Sequence, residues 1–348
     1  MSYRFVIIGS GWRAAYYKRI AEKLPQLFEL GMVYCRSEEK AQKIAAEWGV
    51  KTTCLKDDII SYRPDFVVVS VSKTAGASVA LEWMERGFTV LSETPAALGT
   101  DTLDSLKKAH LKGQKLVVAE QYTHYPTYSA LLKLIGEGYI GDVNCVNLSL
   151  AHDYHAASLM RAFLNIPADM GFNVTAKSFS LPVTATLTRY ESYDDGHLVD
   201  KKRMAAVFEF DNGKVALYDF DSEQYRSPIR KCSYRISGTR GEIVDGRVSF
   251  LDENNRPEED FLRMEIINHM TGDPNPNFKS VDEIMRITFK DSILYEAPFG
   301  EACLSEDETA IALLMRQTAG YAGGKCEPPY SLEDALQDAY MSIRMQEA

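Results

Sequence analysis

Apolar and polar positions follow two rhythms along this chain. In the first third, short apolar runs alternate with stretches of helical spacing. Residues 5–9 (FVIIG) form a continuous apolar run, expected of a strand buried on both faces. Residues 12–23 place Ala14, Ala15, Arg19 and Lys23 three or four apart, which predicts a helix. Residues 28–34 read as a second strand. Residues 37–47 (SEEKAQKIAAE) read as a helix opened by a Ser37 cap, with Lys40 at the third position after it. Strands are then expected at 66–71, 89–91 and 115–119, with helices at 75–86 and 102–111 between them. This βαβ rhythm predicts a doubly wound parallel sheet. Such sheets bind ligands beyond the carboxyl ends of their strands, which directs attention to the turns starting at Gly9, Cys35, Val71, Ser92 and Glu120.

The second rhythm is mainly two-residue alternation. After one helix at 128–137, strands are expected at 183–189, 203–210, 215–220, 231–236, 261–267 and 285–289. Asp211-Asn212-Gly213 is a hairpin signal. Asp194-Asp195-Gly196-His197 and residues 200–203 read as a polar turn, and Met170-Gly171-Phe172 and residues 273–277 as loops. Helices at 304–317 and 332–345 close the pattern. The expected domains are a doubly wound α/β domain over 1–121 and an α+β domain over 122–348 with a large, mainly antiparallel open sheet. In residues 215–220, Val215 and Leu217 point one way while Ala216, Tyr218 and Phe220 point the other, so both faces ask for burial. At least a dimer is expected through the face that helices leave open.

Composition narrows the class. The 348 residues carry 39 basic and 49 acidic side chains, a net charge of −10, which argues against a nucleic-acid or anionic-membrane partner. No apolar run approaches the roughly 20 residues of a membrane span. The run 5–8 is too short for a signal-peptide core. Six cysteines without a CxxC pair suit a reducing compartment, so a cytoplasmic location is expected.

Gly9-Ser10-Gly11-Trp12-Arg13-Ala14 matches G-x-G-x-x-[G/A] after an apolar run and at the start of a helix, the context in which that pattern cradles a pyrophosphate. The strand-two end then chooses the cofactor. It reads Cys35-Arg36-Ser37, with no carboxylate for a ribose 2′-hydroxyl, and a guanidinium and a hydroxyl suit a 2′-phosphate. The competing assignment leaves Arg36 in solvent and gives Ser37 only the helix cap. NADP is favoured slightly over NAD. The further cofactor-side candidates are Ser70, Ser72, Lys73, Glu93, Thr94 and Gln121 at later strand ends; a solvated loop lysine is an equal alternative for Lys73.

Val90-Leu91-Ser92-Glu93-Thr94-Pro95, taken with the glycine turn, resembles the Gfo/Idh/MocA family (glucose–fructose oxidoreductase, inositol dehydrogenase and relatives), which carries Glu-Lys-Pro at this place. Residues 134–143 (LIGEGYIGDV), 237–243 (SGTRGEI) and 331–335 (SLEDA) are similar to further family motifs in the same order. The resemblance implies NAD(P)-dependent hydride transfer to or from a sugar, polyol or sugar-derived molecule, with 1–121 as the NAD(P)-binding Rossmann domain and 122–348 as the substrate-binding and oligomerisation domain, whose open sheet face packs on a second subunit. It also implies a cofactor-positioning role for Glu93 and a cis peptide before Pro95.

The family's Lys position is Thr94 here. Its D-x-x-x-H motif best matches Ala151-His152-Asp153-Tyr154-His155, which keeps the histidine as His155 and replaces the aspartate by Ala151. His155 is the candidate acid/base, since imidazole titrates in the useful range. Thr94 and Tyr122 are candidate substrate-orienting groups, and His152 and Tyr154 candidate replacements for the lost groups, together with His124 and Tyr125. Packing is the competing role for each aromatic. A metal site built from His152, Asp153, His155 and His124 lacks supporting spacing, and none is assigned. Two other readings stay open: a dinucleotide-binding regulatory protein without turnover, and a redox–elimination lyase or glycosidase that retains its cofactor.

Overall fold

The computed structural model describes residues 2–188, 191–272 and 279–348, which form two compact units. The first unit, residues 1–124 and 307–340, is built on strands β1 (Tyr3–Ile8), β2 (Phe28–Tyr34), β3 (Thr52–Thr53), β4 (Phe66–Val69), β5 (Val90–Ser92) and β6 (Leu116–Val118). Helices α1 (Ala14–Lys23), α2 (Glu38–Trp48), α3 (Lys56–Tyr62), α4 (Lys73–Glu85) and α5 (Thr100–Leu111) alternate with them. The strands form one parallel sheet in the order β3-β2-β1-β4-β5-β6. β1 and β4 are buried on both faces, with Phe5 stacked on Phe66 at 5.5 Å, as continuous apolar runs require. β2 has the expected bounds, and Ser37 caps α2 by accepting from the Lys40 backbone N–H at 3.4 Å. The two-residue β3 and the short α3 carried too little periodicity to be read from the sequence.

The second unit, residues 125–306 and 341–348, contains α6 (Pro126–Gly136), β7 (Val143–Ser149), α7 (Asp153–Leu164), β8 (Phe172–Thr184), β9 (Leu198–Phe210) and β10 (Val215–Asp221). It continues through β11 (Ser233–Gly238), β12 (Gly241–Val244), β13 (Arg247–Leu251), β14 (Pro257–Phe261), β15 (Arg263–Met270), β16 (Ser280–Phe289) and β17 (Ser292–Glu296). Eight strands form a mixed, mainly antiparallel sheet in the order β14-β13-β12-β11-β7-β10-β9-β8, whose one parallel pairing joins β7 and β10. β15, β16 and β17 form a small antiparallel sheet. Helix α8 (Glu306–Ala322) packs in the first unit, and α9 (Leu332–Glu347) is shared, its residues to Tyr340 grouping with the first unit.

Four expectations are corrected. Of the strand expected at 183–189 only residues 183 and 184 belong to a named strand, as the end of β8, which starts at Phe172, inside the expected loop 170–172; residue 189 lies outside the described residues. Residues 200–203, expected in a turn, lie within β9, paired with β8 from Pro182↔Asp200 to Phe179↔Arg203. Their charges mislead because neither face there is buried, so backbone pairing holds the strand and Arg203 pairs with Asp219 and Asp221. Helix α7 was missed between the helix expected at 128–137 and the strand expected at 183–189. All but two of its residues are buried, so it shows no polar face from which a helical period could be read. Strands β7, β12, β13, β14 and β17 were also missed. The loop expected at 273–277 lies outside the described residues.

Candidate functional site

The glycine turn begins where β1 ends. Gly9 has φ +107°, and a Cβ there would lie 2.1 Å from the Ser70 carbonyl oxygen, so the turn's close approach to the end of β4 admits only glycine. A Cβ on Gly11 would meet nothing within 4 Å, which leaves this backbone open to a ligand. Trp12 and Arg13 lead into α1, whose first residue, Ala14, is buried. The first turn of α1 holds no acidic residue of its own.

At the end of β2, the Cys35 thiol is buried, and burial raises its pKa against an opposing hydrogen bond with Ser10. Ser37 is occupied as the α2 cap. Arg36 is exposed, and among the described residues nothing holds its guanidinium. Beyond β4, Ser70 is buried, Ser72 caps α4 without a side-chain bond to its backbone, and Lys73 is the exposed first residue of that helix.

A polar network occupies the ends of β5 and β6. Glu93, directly after β5, accepts from the Tyr17 hydroxyl at 2.6 Å and from Arg13 Nε at 3.2 Å. Arg13 also forks onto Asp307 of α8, with Nη2 3.1 Å from Oδ1. Burial works against the guanidinium's charge, but Asp307 and Glu93 outweigh it and raise the Arg13 pKa. Burial, then the Glu93 charge, raises the pKa of Tyr17, so its phenol stays protonated. Gln121 Nε2 donates to Asp307 Oδ1 at 3.1 Å. Thr94 is half-buried, and the Thr94–Pro95 peptide is cis.

Tyr122 opens a short 3-10 turn after β6; it is buried, and its backbone N–H donates to Glu120 Oε1 at 3.2 Å. His124 in the same turn is pinned between Thr123 and Gln317 of α8, and burial lowers its pKa. It is therefore a structural neutral imidazole.

In the second unit, His152 is the cap residue of α7 and Asp153 to His155 form its first turn. The packing of Ala156, Ala157, Leu159, Met160 and Phe163 fixes this helix and, with it, the cluster at its end. His152 Nδ1 lies 2.6 Å from the Tyr225 hydroxyl and Nε2 lies 3.0 Å from the Tyr154 hydroxyl. The His155 ring packs 4.9 Å from that of His152 and 4.5 Å from that of Tyr154. Ala151, in the place of the family's aspartate, is wholly buried. Asp153 has φ +43°; its backbone N–H donates to the Tyr218 hydroxyl at 3.2 Å and its carboxylate accepts from Gln346. Tyr125 stacks on Tyr128 at 5.9 Å. Among the described residues no group of three or more His, Cys, Asp or Glu is placed to hold a metal ion.

The structure thus brings together His152, Tyr154 and His155 in one unit, and Arg13, Glu93 and Gln121 in the other. Sequence reading missed Tyr17, Asp307 and Tyr225. None lies in a motif, and each is joined to its partners only by long-range packing. The residues fit a dinucleotide: the backbone is open at Gly11, and Gln121 Oε1 is buried without a hydrogen-bond partner among the described residues.

Comparison with known proteins agrees with this geometry. Residues 3–122 match the Gfo/Idh/MocA family model, described as oxidoreductase family, NAD-binding Rossmann fold. No curated protein matches the chain. Among solved structures, levoglucosan dehydrogenase in complex with NADH and levoglucosan is similar, with 18% identity and a TM-score of 0.67 over 100% of this chain and 97% of that one. The WlbA dehydrogenase from Bordetella pertussis, in complex with NADH and UDP-GlcNAcA, aligns with 18% identity and a TM-score of 0.64 over 99% and 95%. Biliverdin reductase from Synechocystis, in complex with biliverdin and NADP+, aligns with 14% identity and a TM-score of 0.63 over 99% and 98%.

Proposed function

We propose, because residues 3–122 match the Gfo/Idh/MocA oxidoreductase family model with its NAD-binding Rossmann fold, that this protein exchanges a hydride between nicotinamide and the carbinol or ketone of a sugar, polyol or sugar-derived molecule. The observation that carries the reading is the glycine turn, closed on one side by Ser70 and open on the other at Gly11. Bound nicotinamide supplies the hydride acceptor in one direction and the donor in the other. The chain's own residues handle the proton. As hydride leaves the carbinol carbon, the hydroxyl proton passes to His155, and a ketone results. His152 and Tyr154, whose side chains meet within the same unit, support the imidazole. The sugar assignment draws on the levoglucosan and UDP-GlcNAcA complexes of similar fold.

Unencumbered Arg36 beyond β2 supports NADP over NAD in this reading. Thr94 and Ala151, standing where the resemblance implies Lys and Asp, favour a second reading, in which the dinucleotide is bound without turnover or is retained through a redox–elimination cycle. One experiment separates them. Nucleotide released from denatured protein is identified, NADH and NADPH are titrated by fluorescence, and His155→Ala is assayed against a panel of polyols, ketoses and glycosides. The expected result is reversible binding with NADPH preferred, and turnover reduced several tenfold in His155→Ala at unchanged cofactor affinity. Near-normal turnover in that variant overturns the acid/base assignment. Nucleotide that does not exchange points to the elimination cycle, and binding without any turnover to the regulatory reading.

A further inference from the structure

The side chain of Gln121 is 3% exposed and stands just past β6, on the carboxyl edge of the parallel sheet. Its amide orientation is set by chemistry. Asp307 Oδ1 lies 3.1 Å from one end of the amide, and a carboxylate only accepts hydrogen bonds, so the end facing it is the Nε2 donor. Asp307 cannot turn away to release it, because the Arg13 guanidinium grips both its oxygens. Arg13 is in turn held by Glu93, which Tyr17 also holds. The consequence is at the other end of the amide. Oε1 is buried, fixed in direction and without a hydrogen-bond partner among the described residues. A buried acceptor left unmade is costly, and the cost is recovered when a ligand supplies a donor.

The sheet order indicates which part of a dinucleotide supplies that donor. In an order of 3-2-1-4-5-6, the pyrophosphate lies at the β1–α1 turn and the adenosine half toward the end of β2, which leaves the nicotinamide half to β4, β5 and β6. Gln121 and Glu93 both follow strands of that second half. We infer that Gln121 Oε1 accepts a hydrogen bond from the carboxamide N–H of bound nicotinamide, and that Asp307 is the positioning residue that keeps the acceptor oxygen, rather than the amide nitrogen, turned toward the ligand. This rests on the dinucleotide-binding reading and adds to it a group that recognises the nicotinamide head.

The test is a ratio of affinities. The full-length protein is titrated with NADH and NADPH and with their 3-acetylpyridine counterparts, in which a methyl ketone replaces the carboxamide and the N–H donor is lost. The wild-type protein is expected to bind the parent nucleotide at least about fivefold more tightly than its analogue. In Gln121→Leu that ratio falls to about one, through loss of affinity for the parent. Asp307→Asn offers Gln121 a donor as well as an acceptor, lets its amide turn over, and lowers the ratio in the same direction. Cooperative thermal unfolding establishes that each variant is folded. A wild-type ratio of one, or a ratio that survives in folded Gln121→Leu, overturns the inference while leaving dinucleotide binding standing. An equal loss of parent and analogue in that variant assigns the bond to another donor and also overturns it. If the wild-type protein binds none of the four nucleotides, the dinucleotide reading itself falls.

Discussion

Two glycines separated by one residue are constrained differently in the β1–α1 turn. Gly9 answers to the fold: its φ of +107° and the Ser70 carbonyl 2.1 Å from any Cβ leave no room for a side chain. At Gly11 the fold makes no such demand, since a methyl there would touch nothing in the chain, and the role proposed for it is toward a ligand. Gly9→Ala should cost about 1–3 kcal/mol in backbone strain alone, with the clash added to it. Gly11→Ala should leave stability unchanged or slightly raised, yet weaken dinucleotide binding tenfold or more by blocking the approach of the phosphates. Thermal unfolding and fluorescence titration of the two variants check this. Equal loss of stability in both would remove the distinction. The spacing of these glycines is visible in the sequence, but that packing constrains Gly9 and not Gly11 depends on where β4 ends.

At the scale of elements, the tie between α1 and α8 holds the first unit together across nearly the length of the chain. Glu308 is 1% exposed and accepts from Arg19 Nε at 2.9 Å and Lys23 Nζ at 3.0 Å. Both cations keep about a fifth of their side-chain surface in water, so removing the carboxylate strands them only partly. Glu308→Ala should therefore destabilise this unit by about 3 kcal/mol, the lower end for breaking a buried pair. Tryptophan fluorescence during denaturant unfolding reads it, because Trp12, Trp48 and Trp83 all lie in the first unit. An unchanged midpoint would show the pair to be neutral. The helix α8 was readable from its apolar spacing, but neither its role as a partner of α1 nor Asp307 at its start could be read. An acidic residue on an amphipathic helix has the same local signature in solvent as in a buried ion pair. Helix α7 shows the opposite case, where burial on all sides removed the period that would have revealed it.

For the whole molecule, the unresolved demand of the sequence is the second face of the large sheet. Ala216, Tyr218 and Phe220 of β10 and Phe208 and Phe210 of β9 are buried on one face. On the other, the register aligns Leu217 with Val207 and places Phe179 and Leu181 of β8 on the same side, where Val207, Phe179 and Leu181 are exposed. Exposed apolar side chains gathered on one sheet face are a docking surface more often than a solvated one. Sedimentation velocity across a concentration series should find a dimer or larger assembly, and Val207→Arg should shift it toward monomer. Monomer alone at every concentration would remove the proposal. No helix among the described residues is long and apolar enough to cross a membrane.

The parallel sheet, its glycine turn and the change to an antiparallel second half were fixed by local patterns, because continuous apolar runs, helical spacing and a G-x-G-x-x-A turn each encode their geometry within a few residues. The cap on α2 and the bounds of β2 follow from the same short-range rules. What the tertiary structure decided is the set of partners: Asp307 with Arg13 and Gln121, Tyr17 with Glu93, and Tyr225 with His152. These contacts join residues 73 to 294 positions apart. No periodicity records such pairings, because the energy that selects them comes from burying polar groups together and exists only once the strands and helices have been packed.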